Sequence, residues 1–384
     1  MGCKTRIVPL GGLVSMSSGG TPDKQIDAFW NGEIPWISAK SLKGDCIVDS
    51  DLHISRKGLK CSSSKIAPKG SLLLLTRGSG LFKHIPLAIA GKDIAYNQDI
   101  KCVTSKVDDV SNSYLFYAPK ALEPLISGML ETTGIGAGKL STDLLERLPI
   151  PLFEKDIRKR IVSFFDAITN KLAVNVRTND YLAAICDVAF SEQFGNTDDN
   201  AVLSDIADIT MGQSPSGKSY NEEGKGTVFY QGRGEFGWRF PTQRLFTTEP
   251  KRMVAAGDVL MSVRAPVGDL NVAYEDCCIG RGLAAIHSQY PSFCLYLLRS
   301  LSRRLNAYNS EGTVFGSING KTLKALKIAL PDKKSIESFE AKADPIDVQI
   351  KINEVESRNL IMLRDALLPK LMTGEIDPLG GCLA

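Results

Sequence analysis

Two stretches of this chain repeat one another in order, and that constrains its fold more than any other feature. Pro9-Leu10-Gly11-Gly12-Leu13, running on to Pro22, returns as Val202-Leu203-Ser204-Asp205-Ile206, running on to Pro215. Leu72 to Arg77 (LLLLTR) returns as Val259 to Arg264 (VLMSVR). Gly138, Leu140, Leu145, Leu148 and Ile150 return as Gly316, Ile318, Leu323, Leu326 and Ile328. The offset shrinks from 193 to 187 to 178 residues, so the copies differ in loop length. Each copy ends in a long helical stretch. Two globular modules alternating with two helices suit a device that holds two sites at a fixed distance, more than they suit a catalyst.

At 384 residues the chain has room for two or three domains, and each copy is large enough for its own core. No apolar run approaches the ~20 residues of a membrane span. Met1 to Leu13 lacks the apolar core of a signal peptide. The nine cysteines are scattered without a C-x-x-C pair, which points to a reduced, cytoplasmic chain. Net charge is only +3, and its distribution is more informative. Residues 1–150 carry +4 and 196–330 carry +2, whereas 331–384 carry −3. The positive charge sits on the two modules, which is compatible with nucleic-acid binding there without demanding it.

Residues 1–110 read as short strands and loops, among them Ile34 to Ile37, Ser71 to Thr76 and Leu87 to Ala90. A helical rhythm follows over Tyr114 to Leu130, then a glycine-bearing loop, Thr133 to Lys139. The second copy keeps this order, with strand-like segments from Thr227 to Ile286, a helix over Ser292 to Asn309 and a loop from Glu311 to Gly320. The connectors differ. Ile161, Phe164, Ile168 and Leu172 make one apolar stripe of a helix running from Ile157 towards Phe190. Ile346, Ile350, Leu360, Leu363, Leu367 and Leu371 make a second, with Pro345 suited to a first turn and Pro369 to an end or kink. Neither helix can bury its stripe alone, so the two are expected to pack on each other, antiparallel.

Several motifs fail on inspection. Gly232 to Gly237 spells G-x-G-x-x-G, but Trp238-Arg239-Phe240-Pro241 follows instead of a helix start. Ile135 to Leu140 resembles a phosphate loop, yet Leu140 stands where a hydroxyl must bind Mg²⁺. Pro331-Asp332 with Glu340-Ala341-Lys342 loosely mimics a metal-dependent nuclease signature, but Glu340 and Lys342 fall on different faces of a helix. The three histidines have no ligand spacing. The amino-methylase aromatic tetrapeptide is absent from the sequence. The chain offers no recognisable active site.

The candidate nucleic-acid contacts are paired between copies. Arg77 and Arg264 each end an apolar strand and open a small-residue loop, where an arginine suits a phosphate or a guanine edge. Lys139 and Lys321 lie in or beside the glycine-bearing loops. Lys40, Gln231 and Arg233 follow the first strands of the modules, beside Trp36, which reads as core. Asn97, Gln98 and Arg281 complete the set. A structural role for the arginines, satisfying loop carbonyls, remains the alternative.

The pattern resembles the specificity subunit of type I restriction–modification enzymes over nearly the whole chain. Its most specific piece is Leu367-Leu368-Pro369-Lys370-Leu371-Met372-Thr373-Gly374-Glu375-Ile376. Ile34 to Ile37, Gly257 to Arg264, and Leu148 to Leu152 leading into Ile161 support it. The resemblance implies an α/β fold class with two target-recognition domains in tandem. These are separated by two long helices that form an antiparallel coiled coil, with a pseudo-twofold internal repeat. The expected boundaries are a first recognition domain at 1–150, a central helical region at 151–195, a second recognition domain at 196–330 and a distal helical region at 331–384. It further implies that each domain reads half of a bipartite site in double-stranded DNA, that two methylase subunits dock on the helices, and that two motor-nuclease subunits complete the complex. S-adenosylmethionine, ATP and Mg²⁺ belong to those partners, with no cofactor in this chain and no membrane. Two competing readings are an enzyme with an unrecognised active site and a two-headed scaffold that binds proteins only. A helix of about 30 residues is about 45 Å long, against about 34 Å for a turn of B-DNA. The connector should therefore act as a ruler between half-sites.

Overall fold

A computed structural model describes residues 5–134, 136–309 and 316–376 of the chain. The chain divides into two compact units. One comprises the chain up to Leu172 together with the chain from Ser357 onward, and the other is Ala173–Glu356. The division falls inside each of two long helices, Lys155–Phe194 and Lys333–Thr373, so that each unit owns part of both.

In the first unit a five-stranded sheet has the order Val14–Ser18, Ile100–Ser105, Leu72–Leu75, Leu87–Ala90, Cys46–Ile47. Leu72–Leu75 is buried along its whole length, which explains a run of four leucines without polar alternation. A second sheet orders His53–Ile54, Trp30–Ile37, Ile94–Tyr96 and Lys65–Ala67, with Ile94–Tyr96 parallel to Trp30–Ile37. Strands expected over 34–37, 71–76 and 87–90 are present, with small shifts at their ends. The helix expected over 114–130 is two helices, Asn112–Ala121 and Glu123–Gly128. Pro124, in the first turn of the second, lacks the N–H that a continuous helix would need there. Ser111 caps the first, its hydroxyl accepting from the Tyr114 N–H at 3.2 Å.

The second unit repeats the plan. One sheet orders Asp208–Met211, Leu283–His287, Val259–Ser262 and Leu270–Val272. The other orders Tyr220–Asn221, Phe246–Thr247, Thr227–Tyr230, Cys277–Ile279 and Met253–Val254. The helix expected over 292–309 breaks at Leu301 into Pro291–Ser300 and Ser302–Ala307. Residues 310–315 of the loop that follows lie outside the described residues.

The long helices correct the expected stripes. Ile157, Ile161, Phe165 and Ile168 enter the first unit's core with Leu368 and Met372, while Phe164 is 41% exposed. The distal helix begins at Lys333, so Pro345 lies well inside it and not in its first turn. The helix also runs through Pro369 to Thr373. Asp332 caps its start, with one carboxylate oxygen accepting from the Ser335 N–H at 3.1 Å and the other from the Ser335 hydroxyl at 2.7 Å. Those hydrogen bonds hold the Asp332 carboxyl below its ordinary range. In the second unit Phe190, Phe194, Phe293 and Phe339 form one aromatic cluster. Further along, Asn353 donates to Asn179 Oδ1 at 2.7 Å and Asn175 donates to Glu356 at 2.9 Å. The pairs 190 with 339, 179 with 353 and 175 with 356 run in opposite senses, so within this unit the helices are antiparallel.

Candidate nucleic-acid interface

Hydrogen bonds repeat between the modules closely enough to fix which residues correspond. Asn97 N donates to Ile37 O at 3.0 Å, and Gly280 N to Tyr230 O at 2.8 Å. Thr76 N donates to Asp99 O at 2.8 Å, and Val263 N to Gly282 O at 2.9 Å. Leu140 N donates to Thr76 O at 2.9 Å, and Ile318 N to Val263 O at 3.0 Å. Gly20 N donates to Tyr96 O at 3.0 Å, and Gln213 N to Ile279 O at 3.0 Å. In each module four strand ends and the glycine-bearing loop are thus tied together at one edge. Arg77 matches Arg264, Lys40 matches Arg233, Gln98 matches Arg281, and Ser38 matches Gln231.

Glycine lets these ends approach. A Cβ on Gly19 would lie 1.9 Å from Tyr96 O, and one on Gly212 would lie 2.1 Å from Gly280 O. Neither position tolerates a side chain without moving the backbone.

In the first module Arg77 is exposed and pairs across strands with Lys139, which brings two expected contacts side by side. Lys139 Nζ also approaches Glu131 at 3.8 Å, a loose ion pair that leaves the ammonium accessible. Lys40 is exposed in the turn after Trp30–Ile37. Gln98 is exposed, its Oε1 accepting from the Thr21 hydroxyl at 2.8 Å. Asn97 departs from expectation. It is 6% exposed, its Nδ2 donates to Asp99 at 3.0 Å, and its Oδ1 accepts from the Asp99 N–H at 3.1 Å. The Asn97 amide therefore shapes the turn whose Asp99 carbonyl holds Thr76, the residue before Arg77. Trp36 is core, and its Nε1 donates to Gly20 O at 3.0 Å.

In the second module Gln231, Arg264 and Arg281 are exposed at the joined strand ends. The Arg281 N–H donates to the Ser214 hydroxyl at 3.3 Å. Arg233 is exposed in the turn that begins at Gly232, paired with Asp269. Lys321 does not stand where Lys139 stands. Arg264 bridges to Ser317, so Ser317 is the counterpart of Lys139. Lys321 lies on the short helix Gly320–Lys324 and corresponds in the repeat to Asp143 of Thr142–Glu146. The repeat that sets Gly138 against Gly316 and Leu140 against Ile318 already implies this register, and the bridge agrees with it. Thr21, Ser214 and Ser38 share the edge and were not singled out by the sequence; their signal was position immediately after a repeated strand.

The rejected motifs have structural roles. Gly232 to Gly237 is a turn closed by Glu235, which accepts from the Gly232 N–H at 3.3 Å. Gly138-Lys139 is a strand, not the mouth of a helix, and Ile135 lies outside the described residues. Glu340 accepts from the Ser292 and Phe293 N–H groups at 3.1 and 2.7 Å, capping the helix Pro291–Ser300 from outside it. Burial pushes the Glu340 carboxyl above its ordinary range, against those two hydrogen bonds. Among the described residues, His, Cys, Asp and Glu side chains gather nowhere in a group of three that could hold a metal ion. No helix there is long and apolar enough to cross a membrane.

Comparison with known proteins agrees with the duplicated plan. A family model described as the type I restriction modification DNA specificity domain matches twice, over residues 4–183 and 199–354. A protein provisionally named as the type I restriction enzyme MjaX specificity subunit of Methanocaldococcus jannaschii is 39% identical over 172 residues, which is 44% of this chain and 40% of that one. The MjaIX specificity subunit of the same organism is 24% identical, covering 94% of this chain and 91% of that one. The EcoR124I/EcoR124II specificity subunit of Escherichia coli is 29% identical over 42% of this chain and 41% of its own length. The chain thus spans well under half of two of these relatives and nearly all of the third. In fold, a type I restriction–modification S subunit from M. genitalium matches with a TM-score of 0.62 and 15% identity, over 96% of both chains.

Proposed function

The chain belongs to the type I restriction modification DNA specificity domain family, and from that premise we propose that it reads a bipartite double-stranded DNA target as the non-catalytic specificity subunit of a type I restriction–modification complex. One observation carries this reading: two modules present the same five surface positions on the same hydrogen-bonded scaffold, with arginine kept at one and different side chains at the other four. A scaffold held constant while its tips vary is what two related readers of different sequences need. Residues 1–150 and 196–330 are the target-recognition domains, and 151–195 and 331–384 the central and distal helical regions. The two long helices form the antiparallel coiled coil that sets the spacer between half-sites, and a pseudo-twofold relates the copies.

The first half-site falls to Lys40, Arg77, Gln98 and Lys139, with Asn97 positioning the turn beneath them. The second falls to Gln231, Arg233, Arg264 and Arg281, with Lys321 beside them. An arginine suits a guanine edge and a glutamine an adenine edge, so the swap of Gln98 for Arg281 is a natural source of different preference. The long helices also carry apolar residues on their exposed faces. Val174, Tyr181, Ile185 and Val188 fall on one face of the central helix, and Val348, Ile352 and Val355 on one face of the distal helix. Contiguous exposed apolar stripes mark association surfaces. We assign them to two methylase subunits, which bring S-adenosylmethionine; two motor-nuclease subunits bring ATP and Mg²⁺. The complex acts in the cytoplasm.

The test is methylated-base mapping in a host that carries this chain and its methylase partner. Two short half-sites separated by a fixed spacer are expected. Methylation at an undivided site, or none that depends on this chain, contradicts the reading.

A further inference from the structure

Beside its strand ends, the second module has a groove of about 700 Å³ between the short helix Gly320–Lys324 and the strand Asp208–Met211. Arg252, Lys321 and Lys324 line it together with the hydroxyl-bearing Ser204 and Thr210. No carboxylate is among its lining residues. All three cations are exposed, and none makes an ion pair among the described residues. Lys321 follows Ser317, the bridge partner of Arg264, by four residues. The strand on the groove's other side leads through Met211 directly into Gly212 and Gln213 of the joined edge. The groove therefore runs up to the residues assigned above to base reading.

The first module has the corresponding groove with its charge balanced. It measures about 690 Å³ and is lined by Gly11, Met16, Lys106, Asp143, Glu146 and Arg147 among others. The caps Ser141 and Asn319 put the two short helices in register, each side chain accepting from the N–H three residues on. Asp143 then stands where Lys321 stands, Glu146 where Lys324 stands, and Arg147 where Ala325 stands. Lys106 Nζ is occupied by Gly11 O at 2.6 Å. Two acids offset the two cations here, while three cations stand uncompensated in the other copy. Folding does not explain this difference, because the buried anchors Leu145 and Leu323 match and the reversed charges are on the solvent side.

We propose that the second module's groove holds the DNA phosphate backbone flanking its half-site, and that the first module lacks this contact. The proposal rests on the DNA-reading assignment above. Three accessible cations with two hydroxyls and no acid match a run of phosphates, which positions a duplex without reading its sequence. Each phosphate neutralised adds about 0.9 to the slope of log affinity against log salt.

The experiment uses the full chain assembled with its methylase partner, titrated with duplex carrying the mapped site from 50 to 200 mM salt. The triple variant R252Q/K321Q/K324Q is expected to flatten the slope by roughly two to three, with base preference unchanged at every position. The double variant D143K/E146K, which writes the second groove into the first module, is expected to steepen it by about two. An unchanged slope in both overturns the proposal. So does a triple variant that alters base preference, or one that loses the methylase partner while binding DNA with the original slope; the last would make the groove a protein contact. Should R264A and R281A leave base preference intact while the triple variant still flattens the slope, the strand-end reading fails and the groove stands.

Discussion

The two modules share a backbone plan and differ in how they fasten it. In the first, the helix Asn112–Ala121 is capped by its own Ser111, and Tyr117 donates to Asp166 at 2.8 Å. In the second, the matching helix Pro291–Ser300 has no local side-chain cap. Glu340 and Asp347 of the distal helix reach across to it instead, Asp347 accepting from Ser292 Oγ at 2.7 Å and from Tyr296 at 2.9 Å. Asp347 also pairs with Arg239 at 3.1 Å, and Arg239 is only 4% exposed. The start of this helix is thus held by its own hydroxyl in one module and by carboxylates of the distal helix in the other. The first module sets its buried ion pair elsewhere, Arg158 with Asp109 at 2.7 Å. Two copies of one plan can keep their strand ends in place by different chemistry, and the two chemistries should fail differently.

The largest expected effect follows from that contrast. Asp347→Ala leaves the Arg239 guanidinium buried without its carboxylate, a change that costs about 3–5 kcal/mol. Tyr117→Phe removes the hydroxyl that bonds Asp166 at 2.8 Å and Thr169 at 3.4 Å, which costs about 1–3 kcal/mol. Hydrogen exchange should show the helix Pro291–Ser300 losing most of its protection in the first variant, and Asn112–Ala121 losing less in the second. Equal losses in both would show that the modules are fastened alike.

The repeat was legible because burial enforces it. Leu72–Leu75 and Val259–Ser262 must stay apolar on both faces, and Leu145 and Leu323 must fill the same hole. The long helices were legible as elements but not as faces. Phe164 and Phe165 are both apolar, and spacing alone cannot tell the buried one from the exposed one. The second apolar face, carrying Tyr181 and Ile185, blurs the stripe further. Pro345 and Pro369 read as boundaries because proline removes a helix hydrogen bond, yet packing on either side carries the helix through them. At the candidate interface, the exposed arginines were found from the strands that precede them. Asn97 was misjudged because its burial depends on a turn that pattern does not reveal. Lys321 was grouped with Lys139 because both lie by a glycine-bearing loop, although the match of Gly138 with Gly316 already sets Lys139 against Ser317, as the bridge from Arg264 does.

Next in size are the strand-end arginines. Arg77→Ala should weaken one half-site only, and Arg264→Ala the other, by about 1–3 kcal/mol if each contacts a base. Competition among duplexes with single base changes separates that outcome from a phosphate contact, which would weaken all sequences alike. If both variants retained full affinity at both half-sites, the two arginines would serve their loops and nothing more.

A smaller effect is expected at the position where the modules hold Lys139 and Ser317. Exchanging them, as K139S with S317K, should move about one unit of salt slope from the first half-site to the second and leave the total near its original value. Binding to duplexes in which one half-site is scrambled would read each contribution. A slope that stays put means that Lys139 spends its charge on Glu131 and not on DNA.

The smallest effect is a pH dependence at the start of the matched helix, which there only the second module should have. Glu340 sits above its ordinary range because burial penalises its carboxylate, so the folded state holds the proton more tightly than the unfolded chain does. A group raised in this way contributes stability that is fully present below its unfolded value and is lost as pH rises through the folded one. Acidification from neutrality towards pH 4 should therefore favour the wild-type second module relative to Glu340→Gln, whose amide does not titrate. Ser111, doing the same capping work in the first module, gives no such dependence. Exchange protection at Phe293 and Cys294, followed across that range in both proteins, is the measurement. Parallel curves for wild type and variant would mean that the two N–H bonds from Ser292 and Phe293 offset the burial penalty, and that the charged fastening of this module costs no more than the hydroxyl fastening of the other.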